Sequence, residues 1–229
     1  MALNDKVVVI TGASKGFGKS LATFFKKENS QVVISSNDKE ELKKTAEELS
    51  VDSFLADVIK PEELGDLGKY VSEKYGQIDI WINNAGIQII PSLIEDVDIA
   101  KLKRLFDINF FGYFYGCQIA LKYMKVRGSG LIININSTAG LDGKPMLSAY
   151  SSSKFAIKGL TESIREEVTN DLNIYTVYPG GMQTEIYQEK YPNDIKEYML
   201  TDDVAQKVID NLKSESPNPD LIIKRPINS

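Results

Sequence analysis

Seven short apolar runs, each followed by a stretch with helical spacing, constrain this chain more than any other feature. The runs read "KVVVIT", "QVVIS", "SFLAD", "IDIWIN", "LIININ", "NIYTVYP" and "DLIIK". Most are continuous rather than alternating, which is the pattern of strands covered on both faces. Between them, Phe17, Leu21, Phe24 and Phe25 share one helical stripe, as do Leu42, Ala46 and Leu49. A third stripe carries Leu64, Leu67 and Val71, and Pro61 before it suits a first helical turn. The spacing predicts helices over 16–28, 38–49 and 61–75, longer ones over about 99–126 and 149–170, and one over 202–213. Strand and helix alternating in this way give an α/β fold, a doubly wound parallel seven-stranded sheet with helices on both faces. No linker, repeat or low-complexity block divides the 229 residues, so residues 1–229 read as a single domain.

Composition narrows the chemistry. The chain has no histidine, which removes Ser-His-Asp and Cys-His catalysis and histidine-ligated metal sites. No metal site is expected, and any acid–base group is Asp, Glu, Lys, Tyr or the one cysteine, Cys117. A net charge of -5 leaves no basic footprint for nucleic acid or an anionic membrane. No apolar run reaches the ~18 residues of a membrane span. The opening "MALNDKVVVITG" reads as a first strand rather than a secretory signal. With a single cysteine, a reducing, cytoplasmic location is expected.

"TGASKGFG" sets Gly12, Gly16 and Gly18 between the first strand and the first helix. The spacing G-x-x-x-G-x-G differs from the commoner G-x-G-x-x-G but meets the same need. The turn requires positive φ, the backbone must come close to a pyrophosphate, and the helix N-terminus offers free N–H groups to anionic oxygens. A plain glycine-rich turn is the alternative.

Further stretches lie in order along the chain. "NNAG" spans Asn83 to Gly86, Asn109 sits inside the next helix, and Ser137 lies in "INSTAG". Tyr150 and Lys154 stand four residues apart in "SAYSSSKFAIKGL", one above the other on a helix face. "YPGGMQT" runs from Tyr178 to Thr184. This set resembles the short-chain dehydrogenase/reductase family in its single-domain, Rossmann-fold branch, from about Lys6 to Arg225. The resemblance implies that Asn109, Ser137, Tyr150 and Lys154 are catalytic. It implies a cofactor turn at Gly12, Ser14, Lys15, Gly16, Phe17 and Gly18. Ser36, Asn37, Asp57 and Val58 would follow on the adenosine side. Asn83, Ala85 and Gly86 would support that side and steady the central strand, and Pro179, Gly180, Met182 and Thr184 would hold the nicotinamide end.

Reduction of a carbonyl needs a hydride on carbon and a proton on oxygen. Tyr150 is the natural proton donor, and as tyrosinate the natural base for oxidation. Lowering a phenol by ~3 units from its usual pKa of about 10 needs ~4 kcal/mol, which an ammonium ~4 Å away supplies at an effective dielectric of ~20. Lys154 is expected to be that ammonium, and Ser137 to hold the substrate oxygen. Asn109 is expected to interrupt its helix and hold a water. Taken singly, Ser137 could be a helix cap and Asn109 a mid-helix polar residue.

Ser36 stands where NAD enzymes of this architecture place a ribose-binding carboxylate. With Lys15 nearby, NADP(H) is expected over NAD(H). Asp38 either weakens phosphate binding or caps the next helix. Ile87, Gln88, Leu141, Asp142, Met146, Gly181, Met182 and Tyr187 are candidate walls for a small carbonyl or alcohol substrate, with Lys144 able to attract a carboxylate. The tail resembles that of relatives acting on 3-hydroxy acids or small carbonyls. The aromatic-rich stretch "LFDINFFGYFYGCQIALKYM" and the family's helix pairing imply a homodimer or homotetramer. Two other readings compete with the oxidoreductase. One is a nucleotide-sensing regulator without turnover. The other, an epimerase or dehydratase, is disfavoured by the glycine spacing.

Overall fold

The computed structural model describes residues 1–168, 171–187 and 191–225. Seven strands form one parallel sheet. They are β1 (Val7–Thr11), β2 (Gln31–Ser36), β3 (Asp52–Leu55), β4 (Ile80–Asn83), β5 (Ser129–Ile135), β6 (Asp171–Pro179) and β7 (Asp220–Ile223). Their order is β3-β2-β1-β4-β5-β6-β7. Each coincides with one of the apolar runs. The chain moves outward from β1 to β3, then returns to lay β4 on the other side of β1. That reversal opens a crevice beyond the carboxyl ends of the strands.

Helices α1 (Gly16–Lys27), α2 (Lys39–Leu49) and α7 (Thr201–Lys213) cover one face, packing Leu21, Phe25, Leu42 and Val208 on Val8, Ile10, Ile34 and Ile82. Helices α3 (Pro61–Tyr75), α4 (Ile99–Phe106), α5 (Gly112–Arg127) and α6 (Ser148–Glu167) cover the other. Leu64, Leu67, Leu105, Cys117 and Ile164 there meet Val9, Val33, Trp81 and Ile132. Alternate residues of one strand thus feed two cores, which is why the runs are continuous in sequence.

The helix expected over 99–126 is interrupted. Residues Asp107–Phe111 form a π-helical turn between α4 and α5, the kind of bulge that departs from regular helical bonding and recurs at functional sites. The helix expected over 149–170 is described to Glu167, and residues 169–170 lie outside the described set. Asp38 caps α2, its Oδ1 accepting from the Glu41 N–H at 3.2 Å.

At the amino-terminal edge of the sheet, Asp79 precedes β4 and is only 6% exposed. Its carboxylate accepts from the Val7 N–H at 2.8 Å, the Gln77 amide at 2.9 Å, Arg127 at 2.7 Å and Lys6 at 3.5 Å. This cluster ties β1, β4 and the end of α5 together. Burial pushes the Asp79 carboxyl up, but the Val7 N–H, Arg127 and Lys6 outweigh it and hold the group below the usual carboxylate range.

Candidate active site

The glycine turn opens the crevice. Gly12 has φ +61, and a Cβ there would lie 2.6 Å from Ala85 Cα. A Cβ on Gly18 would lie 2.5 Å from the Gly12 carbonyl. No side chain is tolerated at either position, so the turn packs closely on Ala85 and Asn84, while Gly16, at φ +55, leaves its backbone bare toward Thr184. Asn84 pins the turn, its side-chain amide donating to the carbonyls of Thr11 and Gly12, both at 2.9 Å. Ser14 donates to Ser36 across 3.0 Å, joining the turn to the end of β2. The Asn37 amide donates to Asp57 at 3.1 Å.

From there a cavity of about 750 Å³ runs to the start of α6. Gly12, Ser14, Lys15, Gly16, Phe17, Gly18, Ser36, Asn37, Asp57, Val58, Ala85, Gly86, Ser137, Tyr150, Lys154, Pro179, Gly180, Met182 and Thr184 all line it. Two of the expected catalytic and cofactor residues do not. Asn83 is buried beneath the floor, accepting from Trp81 at 2.8 Å and donating to Asn134 at 2.9 Å. Asn134 in turn donates to Thr161 at 2.9 Å. This buried ladder joins β4, β5 and α6, so Asn83 ties the central strands together beneath the cleft rather than lining it. Asn109 is fully buried inside the π-turn. It clasps Ile87 by both backbone groups at 2.9 Å and donates to Ser153 at 3.3 Å.

Tyr150 and Lys154 meet at the inner end of the cavity, 8% and 2% exposed. Ser137 caps the short turn Thr138–Gly140, its Oγ accepting from the Ala139 N–H at 3.1 Å. Ser137 also lies close enough to Tyr150 to oppose the effect of burial on its phenol. Ser137 thus caps the turn and also lines the cleft. Lys154 Nζ donates to the Ile135 carbonyl at 3.1 Å and lies 5.2 Å from the ring centre of Tyr113 and 5.7 Å from that of Tyr150. Tyr113 donates to the same carbonyl at 2.7 Å. Sequence reasoning passed over Tyr113, although it stands one helical turn beyond Asn109. It also passed over Asn84, the neighbour of Asn83.

The electrostatics correct one expectation. Among protein groups alone the lysine does not bring the phenol down. Burial pushes Tyr150 up to about 12, against the opposing bond from Ser137, and pushes Lys154 down to about 7. Each charged form is penalised because neither group is paired with an opposite charge. An ammonium beside a phenolate satisfies both, so the two ionise together at lower cost than either does singly.

The outer cavity wall comes from Gln88, Lys144, Met146, Gly181, Met182 and Tyr187, as read from the sequence, with Ile90, Leu147, Tyr191 and Tyr198 added by the fold. Ile87, Leu141 and Asp142 stand outside it. Ile87 is turned inward by the Asn109 clasp, while Leu141 and Asp142 follow the turn that Ser137 caps.

The cleft fits a dinucleotide on its own geometry. It has a bare positive-φ turn at a helix N-terminus, a switch-point crevice of sufficient volume and a buried lysine at the inner end. Known proteins agree. The family model for short chain dehydrogenase matches residues 6–195. An uncharacterized oxidoreductase of Staphylococcus aureus (strain USA300) is 33% identical over 230 aligned positions, 98% of this chain and 99% of its own. Uncharacterized oxidoreductase YxnA of Bacillus subtilis (strain 168) is 32% identical, spanning 96% of this chain and 66% of its own. Among solved structures, an alcohol dehydrogenase from the archaeon Thermococcus sibiricus complexed with 5-hydroxy-NADP superposes with a TM-score of 0.87 at 25% identity, covering 98% of each chain. A 3-ketoacyl-(acyl-carrier-protein) reductase from Brucella melitensis complexed with NADH superposes at 0.89, covering 97% of each chain at 23% identity. The chain belongs to the short chain dehydrogenase family.

Proposed function

We propose that this protein is an NADP-dependent oxidoreductase interconverting a small carbonyl compound and its alcohol, with Tyr150 as the proton-transfer group. One observation carries the reading: a buried phenol, beside Ser137 and one helical turn from a buried lysine, stands at the inner end of a cleft that begins at a bare glycine turn. A nicotinamide cofactor, when bound, supplies hydride transfer to or from the carbon. Gly12, Gly16 and Gly18 would cradle its pyrophosphate, Ser36, Asn37 and Asp57 its adenosine half, and Pro179, Gly180 and Thr184 its nicotinamide end.

The chain's own residues do the rest. Ser137 and Tyr150 aim two hydroxyls at one oxygen, which fixes the carbonyl for attack. Tyr150 gives its proton to that oxygen in reduction and takes it back in oxidation. Lys154, pushed down to about 7 by burial and lining the cleft, takes a proton from the cleft's solvent as the phenol gives its own to the substrate oxygen, so the tyrosinate stands beside an ammonium; in oxidation both protons run back. Asn109, by clasping Ile87 and bonding Ser153, holds the π-turn against α6.

The NADP preference is supported by Ser36, which offers no carboxylate to repel a 2′-phosphate, and by Lys15 beside it. The substrate wall is apolar and phenolic around one exposed cation, Lys144. That supports small carbonyls, with 3-oxo or 3-hydroxy acids as the acidic subset. Exposed Phe111, Phe114 and Phe155 support a homodimer or homotetramer built on α5 and α6. The buried, unpaired Cys117 suits a reducing cytoplasm, and no helix among the described residues is long and apolar enough to cross a membrane.

A panel of ketones, aldehydes and 3-hydroxy acids, read by reduced-nicotinamide absorbance with each cofactor, tests the function. Turnover with NADP(H) that Tyr150→Phe abolishes is the expected result. Identical rates for wild type and variant would remove Tyr150 from the chemistry. A protein that binds the dinucleotide and turns over nothing would be a nucleotide sensor. A sedimentation mass of one chain would rule out the oligomer.

A further inference from the structure

The geometry points to Glu185 as a residue that sets cofactor preference, by holding Lys15 so that a 2′-phosphate gains this cation only by displacing the carboxylate. This inference rests on the reading of Lys15 given above and adds its competitor.

Lys15 immediately precedes α1, at the turn that Ser14 ties to Ser36. The ribose 2′ position of a dinucleotide in this architecture lies at that end of the second strand. Lys15 Nζ is 3.0 Å from Glu185 Oε2. The hydrogen bond that Lys15 donates to Glu185 holds the ammonium above the usual lysine range, against a smaller burial effect and with added help from the Asp38 and Glu41 carboxylates. Glu185 comes from neither β2 nor α1. It follows β6, on a segment anchored at both sides: Gln88 donates its N–H to the Ile186 carbonyl at 3.0 Å, and Gln183 to that of Met199 at 2.9 Å. Both Lys15 and Glu185 line the cleft. A carboxylate on a fixed backbone therefore reaches across the cleft and takes the cation that faces the 2′ position.

The ion pair is half-exposed, 49% and 57% at the two side chains. Pairs of this kind are weak and exchange readily. A phosphate monoester brings up to about two negative charges and three acceptor oxygens, enough to displace one carboxylate. Only the Glu185 side chain has to turn. NADP(H) binding then carries the cost of breaking the pair and NAD(H) binding does not, so Glu185 narrows the preference that Lys15 creates.

Calorimetric dissociation constants for NADP+ and NAD+ on wild type, Glu185→Gln, Lys15→Met and the double variant test this. Both side chains are exposed, so the substitutions leave the fold intact. Glu185→Gln is expected to tighten NADP+ about three- to tenfold and to move NAD+ less than about twofold. In the Lys15→Met background the gain should fall below about twofold, because no cation remains to be released. If Lys15→Met weakens NADP+ while Glu185→Gln leaves it unchanged, Glu185 is not the competitor and the Lys15 reading stands. Equal tightening of both cofactors would mean general repulsion and overturn the competition. An unchanged NADP+ constant in Lys15→Met would remove the Lys15 reading and this inference with it.

Discussion

Asp79 and Lys154 are both buried ionisable side chains beside strand ends, at opposite edges of the same sheet. Asp79 precedes β4 at the amino edge and has four donors around its two oxygens, two of them cationic. Its carboxyl is held below the usual range. Lys154 packs against the end of β5 at the carboxyl edge, with one carbonyl acceptor and two aromatic rings. Burial pushes it down to about 7. A charge that serves the fold is paired within the fold. A charge that serves chemistry is left short of partners, and its desolvation becomes a reserve for stabilising an anion that arrives or forms later. The carboxyl edge also carries the bare glycine turn and the π-turn, each a departure from regular structure.

The sharpest way to break this contrast is Tyr150→Phe. Loss of the proton-transfer group should lower kcat/KM by about 10²–10⁴-fold while the urea midpoint stays near wild type. A kcat/KM within a factor of a few would end the assignment of chemistry to this edge.

Lys154→Met tests the stored desolvation directly. A lysine whose pKa is depressed from its unfolded value to about 7 binds fewer protons in the folded state between about pH 7 and 10. Stability of the wild type without cofactor should therefore rise with pH across that window, by up to ~1.4 kcal/mol per unit, and should have lost this contribution in full below it. The variant should lack that slope and be the more stable protein at pH 7, although inactive. Urea unfolding at a series of pH values measures both, and an identical slope in the two proteins would refute the argument.

Asp79→Asn should do the opposite, costing about 2 kcal/mol of unfolding free energy at pH 7, because Arg127 and Lys6 lose their anion. The part-exposed cations keep the cost below that of a fully buried pair. The Asp79 carboxyl is held low, so in the wild type its contribution is present at neutral pH and fades as the solution is acidified through the folded pKa. Activity per folded molecule should not change.

The smallest effect should come from Asp38→Ala. Loss of the α2 cap should cost about 1 kcal/mol, although the residue lies near the cofactor side. If stability were unchanged and NADP+ binding alone improved, Asp38 would belong with the functional edge.

Much of this was legible in the sequence. The continuous β-branched runs foretold all seven strands, because a strand buried on both faces shows no alternation. The glycine turn was legible because positive φ and close approach leave few residue types that fit. Tyr150 and Lys154 were legible because their contact is local, one helical turn. Asn83 and Asn109 were harder. Each sits in a motif that touches the cleft, but whether a side chain points into the crevice or beneath it depends on which neighbours pack against it. The sequence shows two adjacent asparagines, and only the β4–β5–α6 ladder sends one inward and the other to the turn.

The sequence by itself determined the order of elements, the turn that opens the cleft and the juxtaposition of Tyr150 with Lys154, because all three are written in short-range periodicity and spacing. Tertiary structure alone decided the protonation balance of that pair, the pairing of Lys15 with Glu185 and the anchoring of Asp79. Those depend on how far each charge is removed from water and which distant groups reach it, and no spacing along the chain encodes that.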